Sequence, residues 1–305
     1  MNEGDMLVIR VPASSANLGP GFDSVGLALN RYLVLEAEES ERWEVIPQSE
    51  ELKAFPADEN NYIVKVALQT AERYGKNLPP CRIRVTSDIP PARGLGSSAA
   101  CIIAGIELAD AVGELGLTRE EKFKIAAEIE GHPDNVGPCL YGGLLIGTQD
   151  DNDEVDAISY YGLDFEVVAA IPKEELLTKN ARNVLPEKIS FSQAVRAGSV
   201  GNVLVAALLS GDYRLAGKMM QKDLYHQPYR RKFVPHMADL EEFALANGAF
   251  GVALSGAGPT VICCCEKGMG KPLLEKLHSF DRNMEYVLLQ IDQQGSKVEW
   301  RSRVK

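Results

Sequence analysis

The strongest candidate for chemistry in this sequence is the stretch IPPARGLGSSAA, which runs from Ile89 to Ala100. Its two prolines end a predicted strand, and Gly94 and Gly96 permit backbone conformations and close approaches that a side chain would block. Its paired serines place hydroxyl groups where the apolar run AACIIAGIELADAV predicts a helix. A glycine turn that opens a helix directs unpaired N–H groups and the positive end of the helix dipole at one place. The stretch therefore predicts a binding site for nucleotide phosphate.

A glycine-rich turn that caps an ordinary helix is the alternative interpretation of this stretch. Paired prolines, GLG, paired serines and an alanine-rich helix start are more than a cap requires. The stretch is not a Walker loop, because the sequence has no GxxxxGK[ST], and it also lacks the protein-kinase triplets HRD and DFG. The pattern thus favours a phosphate loop of a different kind.

A second group of chemically capable side chains begins in TREEKFKIAAEIEG. Thr118 and Glu121 form a T-x-x-E capping box that predicts the start of a helix, and Gly131 is placed to end it. Glu130 would then lie at the helix C-terminus, where an acid is unfavourable unless a cation such as magnesium is near. Glu128 and Glu130 are two positions apart and cannot share a helix face, so at most one of them is a metal ligand. For Glu128 we prefer the simpler interpretation of a solvated helix end.

Polar residues that suit a small charged substrate follow this helix and also precede it in the chain. Asp134 and Asn135 lie in HPDNVGP, and we interpret both as functional residues rather than as part of a solvated loop. Near the N-terminus, an irregular turn at Gly19–Gly21 holds Asn17 and Asp23 close together in sequence. A hairpin turn with polar tips is the alternative for that second pair.

Two arginines are suited to a carboxylate group, because the planar guanidinium makes two parallel hydrogen bonds to it. Arg182 follows KEELLTKN, where Thr178 and Arg182 would share one helical face if a helix persists. Arg230 lies in HQPYRRKFVPH, and Arg231 is the fallback if the register slips. Single arginines are usually surface residues, which is the alternative for both positions.

These residues need strands and helices to position them, and the sequence pattern predicts a mixed α+β protein. An alternating strand over Cys81–Asp88 leads directly into the glycine-rich stretch, and the capped, amphipathic segment DENNYIVKVALQTAERYG predicts a helix before it. The second half predicts the order β–α–β–β–α–β of ferredoxin-like domains. The other predicted strands cover 6–13, 32–38, 43–46, 165–172, two strands within 248–267, and 284–292, with an exposed hairpin at 148–162; the other predicted helices cover 191–209, 212–223, 235–246 and 271–280.

The composition limits the classes of protein that this chain can represent. Its 305 residues include 43 acidic and 32 basic side chains, for a formal charge of −11, and no basic cluster, so we expect no nucleic-acid partner. The length favours two domains, which we place at 1–163 and 164–305. No apolar run reaches bilayer length and the first residues lack a signal-peptide layout, so we expect a cytoplasmic protein without a membrane partner. Six cysteines without CxxC spacing predict small buried side chains rather than a zinc site or disulfide.

Three segments together resemble the signatures of the GHMP kinases, the small-molecule kinases of galactose, homoserine, mevalonate and phosphomevalonate. PASSANLGPGFDSVGLAL resembles the first signature as it occurs in members that act on homoserine, and the glycine-rich stretch resembles the ATP loop. SGAGPT, at Ser255–Thr260, resembles the third signature. HPDNVGP is similar to the family segment HxDNVAP, with Gly137 in place of the usual alanine. The resemblance follows the family's order and covers nearly the whole chain.

The resemblance implies a two-domain α+β GHMP kinase fold, with an N-terminal domain like domain 2 of ribosomal protein S5 and a C-terminal ferredoxin-like domain. It implies ATP and Mg²⁺ as cofactors and a homodimer that phosphorylates the side-chain hydroxyl of L-homoserine, a step of threonine biosynthesis. The residues expected to bind ATP are Pro91, Ala92, Arg93, Gly94, Leu95, Gly96, Ser97, Ser98 and Asn61. The residues expected to bind the amino-acid substrate are Asn17, Asp23, Asp134, Asn135, Arg182, Arg230 and Gly256. The expected catalytic residues are Glu130, Asp134 and Asn135, and the expected metal ligands are Ser98 and Glu130.

Several alternatives stay open at the level of sequence. Asn61 begins a predicted helix, so a cap explains it as well as a nucleotide contact does. Asp134 is the obvious general base, but an aspartate bound to a substrate ammonium has little basicity, and a loose phosphoryl-transfer transition state needs little proton abstraction. A GHMP kinase for a sugar or mevalonate would have no use for two arginines that face a carboxylate near the reacting end of a small amino acid. An ATP-binding regulator without turnover would have lost side chains such as Ser98 and Glu130, which are present here.

Overall fold

The computed structural model describes residues 5–176 and 181–302, and it contains two β-sheets packed against helices. The strands, numbered in chain order, are β1 (Asp5–Ala16), β2 (Val25–Glu39), β3 (Glu44–Pro47), β4 (Cys81–Ser87), β5 (Leu144–Gln149), β6 (Val155–Tyr160), β7 (Phe165–Ile171), β8 (Ala249–Leu254), β9 (Val261–Glu266), β10 (Glu285–Leu289) and β11 (Lys297–Ser302). The helices are α1 (Tyr62–Arg73), α2 (Ser97–Gly113), α3 (Arg119–Glu130), α4 (Pro133–Tyr141), α5 (Phe191–Ser210), α6 (Tyr213–Met220), α7 (Gln227–Arg230), α8 (Met237–Ala246) and α9 (Gly270–Leu277). The predicted α+β class is therefore confirmed. Within the described ranges, no helix combines the length and apolar character needed to cross a membrane.

The first sheet carries the elements around the glycine-rich stretch. Its strand order is β11-β1-β2-β4-β3, and the first part of β2 also pairs with β5, which pairs with β6. Leu7, Ile9 and Val11 of β1 are fully buried, as expected for alternate positions on one face of a strand. Helix α2 packs against β1 and α1, and it is buried on nearly all sides because its sequence is apolar on nearly all sides. The phosphate-loop helix is thus part of the core.

The second sheet has the strand order β10-β7-β9-β8, and all of its neighbouring strands are antiparallel. In chain order these are the fourth, first, third and second strands of the domain. Helices α5 to α8 lie between β7 and β8 in the chain, and α9 lies between β9 and β10. This confirms the predicted β–α–β–β–α–β order.

The last described strand, β11, follows the second sheet in the chain but belongs to the first sheet. β11 pairs antiparallel with β1, and the paired residues run from Arg10 and Lys297 to Asp5 and Ser302. The final described strand therefore belongs to the first sheet. The two strands lie at opposite ends of the chain. Local sequence patterns therefore gave no sign that they pair.

Two elements near the site differ from the sequence predictions. β2 begins at Val25, seven residues before the predicted start at position 32. The segment after Gly131, over which no helix was predicted, forms α4, which starts with Pro133 at a position where proline is well tolerated. α4 also contains Pro138 and Gly137, which are poor helix formers, yet seven of its nine residues are buried. Tertiary packing therefore stabilises this helix against its own propensity.

The close packing of β2 against α4 generates a stability prediction. A Cβ atom at Gly26 would lie 1.7 Å from the carbonyl oxygen of Asp134 and 2.7 Å from Pro138 Cγ, so Gly26→Ala must displace α4. We expect this variant to lower the free energy of unfolding by about 1–3 kcal/mol, as overpacked cores do, in a urea titration. Gly198→Ala in α5 is the matched control, because a Cβ there meets nothing within 4 Å and alanine favours a helix. Equal midpoints for Gly26→Ala and the unmodified protein would contradict the packing described.

Candidate active site

The glycine-rich stretch forms the predicted turn, and α2 begins at Ser97. Gly96 has a φ of 72°, and a Cβ atom there would lie 2.1 Å from Ser14 Oγ. Gly94 has a φ of 81°, and its Cβ would lie 2.4 Å from the carbonyl oxygen of Ser255. Conformation and space therefore both exclude a side chain at these two positions. Among residues 5–176 and 181–302, no side chain caps the start of α2, so its first N–H groups are available to an anion.

A polar cavity opens beside this turn and gathers most of the predicted site residues. The predicted residues that line it are Asn17, Asp23, Ala92, Arg93, Gly94, Gly96, Ser97, Ser98, Glu130, Asp134, Asn135, Arg182, Arg230 and Gly256. They come from both halves of the chain, and they include acids, arginines and the open helix start. The cavity therefore combines groups that suit a phosphate with charged groups that suit a zwitterion.

A second cavity of about 370 Å³ adjoins the first and is mostly apolar. Both cavities are lined by Ala92, Ser97, Ser98 and Leu176, so the glycine-rich turn lies between them. Pro91 and Asn61 line only the apolar cavity. A flat aromatic base with its phosphates reaching the polar cavity suits this pair of spaces.

Two residues predicted to bind the nucleotide are engaged by the protein itself. Leu95 is fully buried in the core and lines neither cavity. The Asn61 side chain accepts a hydrogen bond from the Ile63 N–H at 3.1 Å and donates one to the Pro56 carbonyl at 2.8 Å. Asn61 is therefore the cap of α1, and it also stands at the edge of the apolar cavity.

Glu130 lies at the end of α3, next to the start of α2. The capping box at Thr118 and the left-handed Gly131 that close α3 are both present as predicted. Ser98 Oγ donates to Glu130 Oε2 at 3.3 Å. Burial raises the pKa of Glu130 above its ordinary value, although His132 and the Ser98 hydroxyl act in the opposite direction. A cation at this position would favour the charged carboxylate.

Glu128 points away from the cavity and forms an ion pair elsewhere. Its two oxygens accept hydrogen bonds from both terminal nitrogens of Arg73, at 2.7 and 2.8 Å. The hydrogen bond from Arg73 lowers the pKa of Glu128, despite the opposing effect of burial. Of the two glutamates weighed from sequence, Glu130 is the one that lines the polar cavity.

Asp134 lies in the first turn of α4 and is only 1% exposed. His132 Nδ1 lies 2.5 Å from Asp134 Oδ1. Burial lowers the pKa of His132, but the hydrogen bond and charge of Asp134 outweigh it, aided by Glu130 and Asp23, so this pKa lies above its ordinary value. The neighbouring Asn135 accepts a hydrogen bond from Ser14 Oγ at 3.0 Å. Asp134 therefore already has a partner that offers positive charge.

Three side chains form a cluster that suits a positively charged group. Asp23, His132 and Asp134 each place a ligand atom within 4.8 Å of the others. Such a cluster can accept a metal ion through all three side chains or a substrate ammonium through the two carboxylates. His132 was not selected from the sequence, although it stands in the HPDNVGP segment that was.

The Asp23 carboxylate and the Arg182 guanidinium bind each other across the cavity. Arg182 donates two parallel hydrogen bonds, at 2.6 and 3.1 Å, to the two oxygens of Asp23. Asn17 Oδ1 accepts a hydrogen bond from the Asp23 N–H at 3.0 Å, which fixes the turn. Thr178, which was predicted to share a helical face with Arg182, lies outside the described residues. Two residues that were both expected to bind the substrate are thus paired with each other.

Arg230 is buried at the back of the cavity. Its Nε donates to the Ala181 carbonyl at 3.1 Å, and its Nη1 donates to the Gly256 carbonyl at 3.0 Å. Burial and the neighbouring Arg182 lower its pKa to about 10, which still leaves it charged at neutral pH. Arg231 instead forms an exposed ion pair with Glu241 at 2.9 Å, so the fallback register is not needed.

The cavity also contains residues that the sequence analysis did not select. They are Phe22, His132, Leu176 and Ala257. The ring of Phe22 lies 5.5 Å from the guanidinium carbon of Arg182 and 5.2 Å from that of Arg230. Both distances are within the range of a cation–π interaction, so one ring supports both arginines. Phe22 stands inside the first signature, next to Asp23, and that position was the available signal.

Comparison with protein families assigns this arrangement to a known class. The model described as the GHMP kinases N terminal domain matches residues 61–143, and the model described as GHMP kinases C terminal matches residues 204–282. Together with the two-sheet fold and the glycine-rich turn, these matches define a small-molecule kinase. The chain belongs to the GHMP kinase family.

Individual relatives narrow the comparison to one branch of that family. The chain is 49% identical over 303 residues to a homoserine kinase of Bacillus licheniformis, with 99% of each chain covered. It is 48% identical over 300 residues to a homoserine kinase of Bacillus velezensis, with 98% of this chain and 97% of the relative covered. The crystal structure of homoserine kinase from Cytophaga hutchinsonii superposes with a TM-score of 0.83 at 28% identity, covering 98% of this chain and 99% of that one.

Proposed function

We propose that this chain is an ATP-dependent kinase that phosphorylates the side-chain hydroxyl of L-homoserine to O-phospho-L-homoserine, a step of threonine biosynthesis. The observation that carries the proposal is one cavity lined by the glycine-rich turn, two aspartates and two arginines. The turn suits a phosphoryl donor, and the charged side chains suit both ends of an amino acid. Near-identity in length and 49% identity to a homoserine kinase support the same substrate.

The charged side chains of the cavity provide partners of opposite charge for both charged groups of homoserine. Arg230, held rigidly by backbone carbonyls, would bind the substrate carboxylate together with Arg182. Asp23 and Asp134 would bind the ammonium, with Asn17 and Gly256 forming the adjacent wall. The ion pair between Asp23 and Arg182 would then open. Asp23 would bind the substrate ammonium in place of Arg182, and Arg182 would bind the substrate carboxylate in place of Asp23. Because both side chains are more than a third exposed, this exchange would cost less than about 1 kcal/mol.

The nucleotide would occupy both cavities. The backbone from Gly94 to Ser98 would bind the phosphates at the start of α2, while the apolar cavity beside Pro91 and Asn61 would hold the base. Ser98 and Glu130 are oxygen donors 3.3 Å apart, and hydroxyl and carboxylate oxygens are the ligands that Mg²⁺ prefers. Mg²⁺ bound there would neutralise charge on the phosphates during transfer.

Transfer would depend mainly on positioning rather than on a dedicated base. Asp134 is buried and bonded to His132, and it would be committed to the ammonium, so it would have little basicity to offer. Asn135 lies beside it and could orient the hydroxyl that attacks the γ-phosphate. The family resemblance also motivates a homodimer in the cytoplasm, which we propose with the enzyme activity.

A coupled assay of ADP release with Mg²⁺ and ATP tests the proposed function. We expect turnover with L-homoserine and much slower turnover with L-serine, L-threonine, mevalonate and galactose. Selective turnover of mevalonate or galactose would contradict L-homoserine as the substrate and assign that compound instead. ATP binding without turnover of any of these compounds would contradict the kinase activity and favour a nucleotide-binding regulator.

The role of Asp134 generates a prediction about the kinetic constants. Asp134→Asn removes a buried charge from the ammonium site, so the KM for L-homoserine should rise by about 10- to 100-fold, as loss of a charged hydrogen bond implies. The kcat at saturating substrate should change much less. Asp164→Asn, which alters an exposed carboxylate paired with Lys267, is the control and should leave both constants unchanged. An unchanged KM with a large loss of kcat would instead make Asp134 the general base.

The two neighbouring glutamates generate a prediction about magnesium. Glu130→Gln removes a charged ligand, so the Mg²⁺ concentration for half-maximal activity should rise by about tenfold or more. Glu128→Gln is the matched control, because Glu128 binds Arg73 outside the cavity, and it should leave the Mg²⁺ requirement unchanged. A greater Mg²⁺ requirement in Glu128→Gln than in Glu130→Gln would exclude Glu130 as the proposed Mg²⁺ ligand.

A further inference from the structure

A histidine lies behind the arginine that would hold the substrate carboxylate. His226 precedes α7, is 0% exposed, and does not line the polar cavity. Its ring stacks on Phe22 with a centroid separation of 5.3 Å and an angle of 21° between the planes. Both of its ring nitrogens also lie within hydrogen-bonding distance of other groups, Gly19 and Arg230.

Three groups around the ring nitrogens of His226 determine its proton arrangement, and one of them, Asp223 Oδ2, is an acceptor 3.4 Å from Nε2. Nε2 lies 2.9 Å from the carbonyl oxygen of Gly19, which can only accept a hydrogen bond. Nδ1 lies 3.2 Å from Arg230 Nη1, and a guanidinium can only donate. Both bonds form together only if the ring is neutral, with its hydrogen on Nε2 and its lone pair on Nδ1. A second proton on Nδ1 would face the N–H groups of Arg230.

The surroundings favour that neutral ring. Burial lowers the pKa of His226 and the charge of Arg230 lowers it further, against the opposing charge of Asp223. The Asp223 carboxylate accepts hydrogen bonds from the N–H groups of Tyr225, His226 and Gln227, and these bonds fix the backbone that carries the ring. The backbone is thus fixed by three hydrogen bonds to Asp223, and the ring is held by its stack on Phe22 and its hydrogen bonds to Gly19 and Arg230.

We propose that His226 is a positioning residue for the carboxylate of the amino-acid substrate. It joins Gly19, in the turn between Asn17 and Asp23, to Arg230, and so it fixes one half of the site relative to the other. Among the described residues, Nη2 of Arg230 has no hydrogen-bond partner, whereas Nε and Nη1 are both bound by the protein. His226 therefore helps to present Nη2 to the cavity. The inference rests on the proposed amino-acid kinase activity.

A packing role alone makes a different prediction from a positioning role. A buried aromatic residue of the same size would satisfy packing and the stack on Phe22. Only a side chain with an acceptor near the place of Nδ1 would keep the hydrogen bond to Arg230 that supplements the two from backbone carbonyls. Substitutions that keep one property at a time can therefore separate the two roles.

Three variants of His226 make this separation. His226→Phe keeps the ring but neither hydrogen bond, His226→Gln offers a donor near the place of Nε2, and His226→Asn offers an acceptor near the place of Nδ1. We expect His226→Phe and His226→Gln to raise the KM for L-homoserine by about tenfold or more, with kcat within about threefold and the KM for ATP unchanged. His226→Asn should recover part of the lost affinity. Equal KM values in the Phe and Asn variants, or a parallel rise in the KM for ATP, would overturn the positioning role.

A substrate without the carboxylate tests whether the effect passes through Arg230. With the carboxamide of L-homoserine, the ratio of KM between His226→Phe and the unmodified protein should fall close to one. In an Arg230→Lys background, His226→Phe should likewise cause no further rise in the KM for L-homoserine. If His226→Phe raised KM just as strongly in either test, the inference would be overturned. That result is also the one expected if the variant were only less stable. Lack of turnover by the unmodified protein would instead count against the proposed function itself.

Discussion

Close backbone contact between three distant segments holds the two halves of this protein together. The Ser14 N–H donates to the Leu95 carbonyl at 3.2 Å, and the Gly256 N–H donates to the Ala16 carbonyl at 3.1 Å. The Ser255 hydroxyl donates to the carbonyl oxygen of Gly94 at 2.6 Å. These contacts join the end of β1, the glycine-rich turn and the turn between β8 and β9. The start of α2 and the charged side chains around it keep their relative positions because these three segments cannot separate without losing buried hydrogen bonds.

On this frame the two arginines have different degrees of freedom. Arg182 is 39% exposed and bonded to a side chain, so it can exchange its partner at low cost. Arg230 is 2% exposed and bonded to two backbone carbonyls and a histidine, so its position is fixed. A site with one fixed and one adjustable guanidinium can orient a carboxylate and still admit the substrate. This arrangement links the rigidity of the core to the chemistry of the cavity.

The parts of the site that could be predicted from sequence are those encoded by local residue types. Glycines at positions 94 and 96, serines at the helix start, and the T-x-x-E box at Thr118 each specify geometry within a few residues. The order of strands in the second half was equally readable from its apolar periodicity. The resemblance of three short segments then indicated which side chains to examine together.

The parts that sequence reasoning missed depend on contacts between distant residues. α4 forms because β2 and the core cover it, although Gly137 and Pro138 disfavour a helix. The return of β11 to β1 and the bond between His226 and Gly19 join residues far apart in the chain. The pairing of Asp23 with Arg182 was also not foreseen, because both were expected to contact the substrate rather than each other. Such features become visible only when the packing is known.

Recognition of a zwitterion is the central claim, and isothermal titration calorimetry tests it most directly. L-homoserine, its carboxamide and 4-hydroxybutanoate would be titrated into the protein with Mg²⁺ and a non-hydrolysable ATP analogue. If the aspartates bind the ammonium and the arginines bind the carboxylate, removal of either charge should weaken binding by about tenfold or more. Equal affinity for all three compounds would contradict the account, because it would mean that the charged walls of the cavity do not contact the substrate.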